Sequence, residues 1–156
     1  MKQTRQLFVA ALLTCALACV ALNTADNFVG TWKLNLDKWK FDRSPPLKSA
    51  TSTREASEGG VKVATTGELA DGTPLNSSYT AKYDGTDSPV TGAPWDTIAL
   101  KHVSANTYTS TTKKDGKLYG NARTVISNSG KTMTTTSTGT TADGKKFHYV
   151  MVYDKQ

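Results

Sequence analysis

The segment Phe28-Val29-Gly30-Thr31-Trp32-Lys33-Leu34-Asn35-Leu36 decides how this chain folds. Read with a period of two, the even positions from Phe28 to Leu36 are apolar or Gly30 and share one face, and Thr31, Lys33 and Asn35 fall on the other. This alternation predicts a half-buried β-strand. Gly30 stands on the apolar face two positions before the indole of Trp32. Because glycine has no side chain, we expect another part of the chain to approach closely at that point.

Turn signals follow this segment at intervals of about twelve to fifteen residues. They are Glu58-Gly59-Gly60, Asp71-Gly72, Asp84-Gly85, Asp115-Gly116, Asn128-Ser129-Gly130 and Asp143-Gly144, with Ala105-Asn106 as a weaker member. Such pairs supply the positive φ angles that tight hairpins need. The segments between them are rich in Thr, Val, Tyr and Ile, which favour strands. We therefore predict strands over 28–36, 48–57, 60–69, 75–83, 95–103, 106–113, 117–127, 131–140 and 146–154, with a short strand near 87–90.

Successive strands joined by tight turns form a meander, and a meander leaves two unpaired edges. Closure into a barrel removes both edges. The sequence thus predicts an all-β fold, an antiparallel up-and-down β-barrel of eight to ten strands. A β-sandwich is the alternative.

Residues 1–25 have the composition of a secretory signal peptide. Lys2 and Arg5 precede an apolar run from Leu7 to Leu22, and small residues follow, with cleavage expected near Ala21 or Ala25. An uncleaved N-terminal anchor is the alternative. Residues 26–156 then form a single barrel domain, long enough for a sizeable core.

Both cysteines, Cys15 and Cys19, lie inside this leader. The mature domain would therefore have no disulfide and no thiol nucleophile. Ala16-Leu17-Ala18-Cys19 also has a faint likeness to a lipoprotein signal, in which Cys19 would carry a lipid. We expect a secreted or periplasmic protein, and contact with a membrane only if Cys19 is lipidated, which would anchor the chain to the cell envelope.

Charge and motifs exclude several classes of function. The formal net charge is +6, and it falls to +4 without Lys2 and Arg5 of the leader. The charges are scattered, which is typical of a solvated surface and not of a nucleic-acid interface. The two histidines, His102 and His148, stand in no recognisable motif. The sequence predicts no catalytic residue, no metal site and no cofactor.

Several positions expected to point inward carry Thr, Ser or Tyr, and this allows a partly polar interior. Tyr79, Tyr83, Tyr108 and His102 are the candidate ligand-binding residues, because their side chains can hydrogen-bond to the polar end of a guest molecule. The simpler interpretation is that Thr occupies outward strand positions and that His102 lies in the core or at the rim.

Gly30-Thr31-Trp32 at the start of an all-β chain resembles the Gly-x-Trp signature of the lipocalins. The resemblance implies that Trp32 closes one end of the barrel beside Gly30, and that an arginine from a late strand covers it. Arg123 is the candidate for that arginine from its order in the chain. The lipocalin motif Thr-Asp-Tyr is missing, and Lys82-Tyr83-Asp84 is only vaguely similar.

The chain as a whole resembles a group of small secreted bacterial proteins. The shared patterns are Gly-x-Trp-x-Leu-Asn at 30–35, Tyr-Asp-Gly at 83–85 with Pro-Val-Thr-Gly at 89–92, and Ser-x-x-Gly-Lys-Thr-Met-Thr at 127–134. This resemblance implies a barrel and export, and it implies no activity.

These observations favour a monomeric, exported, lipocalin-like barrel that binds a small, mainly hydrophobic molecule without catalysis. A structural or envelope-interaction protein with a filled barrel is the first alternative. An enzyme that uses the barrel mouth and His102 is the second.

Overall fold

The computed structural model describes residues 26–41 and 47–156. The predicted leader, with Cys19, Ala21 and Ala25, lies outside the described residues. The described part contains eleven β-strands and no helix. It accordingly has no helix long and apolar enough to span a membrane. The strands are β1 (Gly30–Leu34), β2 (Lys40–Phe41), β3 (Leu47–Ser57), β4 (Gly60–Leu69), β5 (Pro74–Lys82), β6 (Asp84–Thr91), β7 (Thr97–Ser104), β8 (Thr107–Lys114), β9 (Lys117–Ile126), β10 (Thr132–Thr140) and β11 (Lys146–Lys155).

Ten of these strands form a closed antiparallel ring. Each of β3 to β11 pairs with its neighbour in sequence, and β1 pairs with both β3 and β11. β10 occupies one edge of β11, so β1 and the two-residue β2 share the other edge. The predicted all-β barrel is confirmed, with a ring at the upper limit of the expected strand number. The stretch near 87–90 lies within an eight-residue strand, β6.

The predicted glycine turns make the sharp reversals between strands. Gly59, Gly72, Gly85, Gly116, Gly130 and Gly144 all have positive φ. At the β8–β9 hairpin, both residues of the turn have positive φ, Asp115 at 50° and Gly116 at 73°. Two successive positive φ angles define the turn whose twist matches that of the flanking strands. At the Asp-Gly pairs 71–72, 84–85 and 143–144 the glycine alone has positive φ.

Two ends of the barrel can be distinguished by their connections. The packed end carries residues 26–29 and the turns at 58–59, 83–85, 105–106 and 127–131. The rim end carries the turns at 70–73, 92–96, 115–116 and 141–145. Most of the fully buried large side chains, among them Phe28, Trp32, Val61, Ile126 and Met133, belong to the packed end. The hydrophobic core is therefore concentrated in one half of the barrel.

Candidate functional site

The half of the interior nearer the rim end contains a cavity of about 200 Å³. Inward-facing residues of most strands line it, among them Val63 and Thr65 of β4, Leu75 and Ser77 of β5, and Ile98 of β7. Strand alternation puts Val63 and Thr65 on one face of β4, and Leu75 and Ser77 on one face of β5. The volume exceeds a cavity of about 150 Å³ that holds benzene, and it lies below the roughly 300 Å³ at which drug-sized pockets begin. A small organic molecule fits this space.

Arg54 of β3 lies inside the barrel between the cavity and the packed end. The whole residue is 8% exposed, and its side chain lines the cavity. Its Nε donates a hydrogen bond to Ser52 Oγ (3.3 Å), and Nη1 donates one to Tyr108 Oη (2.8 Å). Among the described residues, no Asp or Glu carboxylate lies within 4.0 Å of the guanidinium. The barrel thus encloses a cation without a counter-charge from the described chain.

Three tyrosines surround Arg54, namely Tyr79, Tyr108 and Tyr153, and all three line the cavity. Burial raises the pKa of Tyr79 above its ordinary value, and burial likewise raises the pKa of Tyr153 to about 12. Burial alone would lower the pKa of Arg54, but its electrostatic interactions with Tyr108 and Tyr79 leave that pKa raised. At neutral pH the guanidinium of Arg54 therefore lies beside the neutral phenols of Tyr79 and Tyr153.

The rim end of the cavity is aromatic. A register shift between Thr112 and Lys113 makes Tyr119 an extra residue on β9, and such a bulge re-aims a side chain. Tyr119 packs between Trp95 and Phe147, with ring centroids 5.6 Å away on both sides. The indole N–H of Trp95 is buried and has no hydrogen-bond acceptor among the described residues. The cavity therefore has a cationic inner wall and an aromatic outer wall.

The structure divides the four candidate ligand-binding residues into two pairs. Tyr79 and Tyr108 line the cavity. Tyr83 and His102 do not, because they lie at the packed end, where their rings stack 3.9 Å apart. The Tyr83 hydroxyl donates to Asp26 Oδ2 (3.0 Å), and His102 is exposed. Tyr83, in the turn after β5, and His102, in β7, therefore lie at the packed end and outside this cavity, whereas the sequence placed all four residues at one site.

Trp32 and Gly30 lie together at the packed end, but Arg123 does not join them. Trp32 is fully buried, and its Nε1 donates to the backbone oxygen of Phe28 (3.0 Å). The cation over its ring is Lys155, whose Nζ lies 5.0 Å from the ring centroid. Arg123 is exposed on the outer face of β9. The expectation that Arg123 covers the indole is corrected: order in the chain favoured it, but strand alternation points it outward.

Gly30 accounts for the position of Lys155. Its φ is 130°, and a Cβ at this position would lie 2.9 Å from Lys155 Cε. The close approach that the sequence predicted at Gly30 is therefore made by the side chain of Lys155, which crosses the glycine to reach the indole.

Sequence reasoning missed Arg54, although a signal was present. The tight turn at Glu58-Gly59 pairs Ser57 with Gly60, and the same register pairs Arg54 with Val63. Directly paired residues share a face of the sheet. Val61, Val63 and Thr65 share one face of β4, and the two valines favour that face as the inward one. The register of the β3–β4 hairpin therefore puts Arg54 on the inward face, even though its own strand is mostly polar.

Chemistry of other kinds has no visible support in the described residues. No group of three or more His, Cys, Asp or Glu side chains in residues 26–41 and 47–156 is arranged to hold a metal ion. The cavity wall described above contains hydroxyls, a guanidinium and apolar groups, and it contains no carboxylate or imidazole. The barrel therefore encloses a cavity whose wall carries one charged side chain, that of Arg54.

The closed ten-stranded antiparallel ring with its internal cavity defines the class of fold, an up-and-down β-barrel. Lipocalin barrels have eight strands, so this ring is larger by two.

A solved structure of zebrafish ileal bile acid-binding protein complexed with cholic acid is similar to this chain, with a TM-score of 0.51 and 12% sequence identity. The alignment covers 83% of this chain and 99% of that one. At this identity the likeness shows the fold alone. No family model and no curated protein matches the chain.

Proposed function

We propose that this protein binds a small, mainly apolar molecule inside its barrel and does not transform it. The single observation that carries this proposal is the cavity of about 200 Å³ enclosed by a closed β wall. Aliphatic and aromatic side chains supply much of its lining, and removal of apolar ligand surface from water would drive binding at about 25 cal/mol per Å². A binding role is also consistent with the structural neighbour, a bile acid-binding protein that holds cholic acid.

We further propose that the protein is exported, as the composition of residues 1–25 and the resemblance to secreted bacterial proteins suggest. Cleavage near Ala21 or Ala25 would release it as a secreted or periplasmic domain. Lipidation of Cys19 would instead anchor it to the cell envelope. Intact-mass measurement of the protein made by a cell with an export pathway distinguishes the two, because each outcome gives a different N-terminus and mass.

Ligand binding is tested with a neutral apolar probe, octan-1-ol, titrated into the purified barrel domain in a calorimeter and in a thermal unfolding assay. We expect saturable binding and a rise in Tm with probe concentration. Ser110→Leu places a larger side chain in the cavity wall and should abolish the effect. Thr136→Leu adds the same leucine on the exposed outer face of β10 and should leave binding intact.

The filled-barrel alternative makes the opposite prediction. If the interior admits no guest, octan-1-ol will neither bind nor raise Tm, and the Ser110→Leu variant will behave like the unmodified protein. That result would refute the binding function.

A further inference from the structure

Arg54 has spare hydrogen-bonding capacity in a place where water is scarce. A guanidinium carries five N–H donors in a planar fork. The two hydrogen bonds to Ser52 and Tyr108 use two of them. The residue is 8% exposed, so bulk solvent does not surround the remaining donors.

A buried cation of this kind is costly for the fold alone. Removal of an ion from water carries a penalty of several kcal/mol, and attraction to an opposite charge normally offsets it. No described carboxylate does so at Arg54. The hydroxyls of Tyr79, Tyr108 and Tyr153 offer dipoles, and the raised pKa values of Tyr79 and Tyr153 mean that these two carry no negative charge at neutral pH.

The geometry around the guanidinium suits an anion. Arginine matches a carboxylate with two parallel hydrogen bonds, and the neutral tyrosine hydroxyls can donate to the same oxygens. Arg54 also marks the inner limit of the cavity, since Phe28 packs against the Tyr108 ring at 4.7 Å on the side of the packed end. An anionic group at Arg54 would therefore be the leading end of a molecule whose remainder points toward the rim.

The remainder of the molecule must be apolar and short. Leu75, Met151 and the rings of Trp95 and Phe147 line the space between Arg54 and the rim. By comparison with benzene in a cavity of about 150 Å³, this volume accommodates about eight to ten non-hydrogen atoms. An eight-carbon chain with a carboxylate head has this size.

We infer that Arg54, with Tyr79, Tyr108 and Tyr153, is the anion-binding subsite of the barrel, and that the guest is a small amphipathic carboxylate held head inward. This inference rests on the proposed binding function and adds the chemical class of the ligand and the direction in which it lies.

The test compares two probes that differ in the head group, octanoate and octan-1-ol, by calorimetry at neutral pH. The unmodified protein should bind octanoate about ten to a hundred times more tightly than octan-1-ol, the factor expected for hydrogen bonds between charged groups. Arg54→Met should remove this preference, because it deletes the guanidinium and keeps an apolar side chain of similar length. Tyr108→Phe, which deletes the hydroxyl at 2.8 Å from Arg54, should reduce the preference by a smaller factor.

Arg123→Met is the matched control, because it removes an arginine from the outer face of the same barrel. It should leave both affinities unchanged. Salt gives an independent criterion: binding at a buried cation should change little between 0.05 and 0.5 M NaCl, whereas binding of octanoate to the basic surface would weaken strongly.

The outcomes separate the two proposals. Saturable binding of octan-1-ol with no preference for octanoate would overturn the anion subsite and leave the binding function standing. Failure of both probes to bind would overturn both. Retention of the full preference in a folded Arg54→Met variant would assign the anion site to another residue and refute the role of Arg54. If Arg54→Met does not fold, Tyr108→Phe and the salt series decide between the same results.

Discussion

Arg54 donates a 2.8 Å hydrogen bond to the hydroxyl of Tyr108 across the interior of the barrel. Arg54 belongs to β3 and Tyr108 to β8, and these strands stand five places apart in a ring of ten. The pair therefore joins opposite walls. On one side of it lies the packed core around Phe28 and Trp32, and on the other side lies the cavity.

The first prediction concerns the stability of the ligand-free protein. Arg54→Met should raise the free energy of unfolding by about 1–3 kcal/mol, because an apolar side chain of similar length replaces a buried ion without a counter-charge. The hydroxyls of Ser52 and Tyr108 can rotate toward other partners. Urea denaturation followed by circular dichroism measures the change. Arg123→Met, on the exposed face, should stay within about 0.5 kcal/mol of the unmodified protein. Marked destabilisation of Arg54→Met would show that the arginine serves the fold.

The second prediction concerns the indole at the packed end. Trp32→Ala should lower the free energy of unfolding by about 3–5 kcal/mol, because it empties a fully buried site and removes the hydrogen bond to Phe28 O. Thermal and urea unfolding both report this loss. An unchanged melting curve would exclude a structural role for Trp32.

The third prediction concerns the contact between Gly30 and Lys155. Gly30→Ala should destabilise the protein by about 1–3 kcal/mol, because φ is 130° and the new Cβ would lie 2.9 Å from Lys155 Cε. Lys155→Ala should cost only about 0.5–1 kcal/mol, the value of an exposed cation–π contact. In a double-mutant cycle the two changes should be less than additive, since removal of the lysine relieves the clash. Strict additivity would mean that only the backbone angle matters.

The fourth prediction concerns alkaline pH. Tyr153 is buried, and burial raises its pKa from about 10 to about 12. A group with a raised folded-state pKa contributes stability that is fully present below its unfolded pKa and is lost as pH rises through its folded pKa. Stability should therefore fall between about pH 10 and pH 12, by about 2–3 kcal/mol for Tyr153 alone.

Tm measured against pH, together with tyrosinate absorbance, checks this window. Tyr153→Phe should remove part of the fall in Tm. The rest of the fall should remain, because burial also raises the pKa values of Tyr79 and Tyr149. A Tm that is constant up to pH 12 would contradict the prediction.

Much of the fold could be predicted from local patterns. The Asp115-Gly116 pair specifies its hairpin because the two residues tolerate positive φ. Alternation in β11 placed Phe147, Tyr149, Met151 and Tyr153 on one face, and all four line the cavity. Alternation alone does not show whether that face or the opposite face of Val150 and Val152 is the inward one, because both are apolar. Closure against β1 and β10 decided it.

The candidate site could be predicted only in part. Strand faces alone do not separate Tyr79 and Tyr108, which line the cavity, from Tyr83 and His102, which share those faces and lie outside it. Alternation tells which way a side chain points, but it does not tell how far along the barrel axis the residue lies. That position depends on strand tilt and register around the whole ring.

The sequence by itself determined the strands, the turns and the alternation of faces, because these follow from the backbone preferences of a few neighbouring residues. Only the tertiary structure decided that Arg54 meets Tyr108, that Lys155 and not Arg123 lies over Trp32, and that the core fills half of the interior and leaves a cavity in the other half. These contacts join residues far apart in the chain. They exist only because ten strands close into a ring, and closure is a property of the whole sheet and not of any one strand.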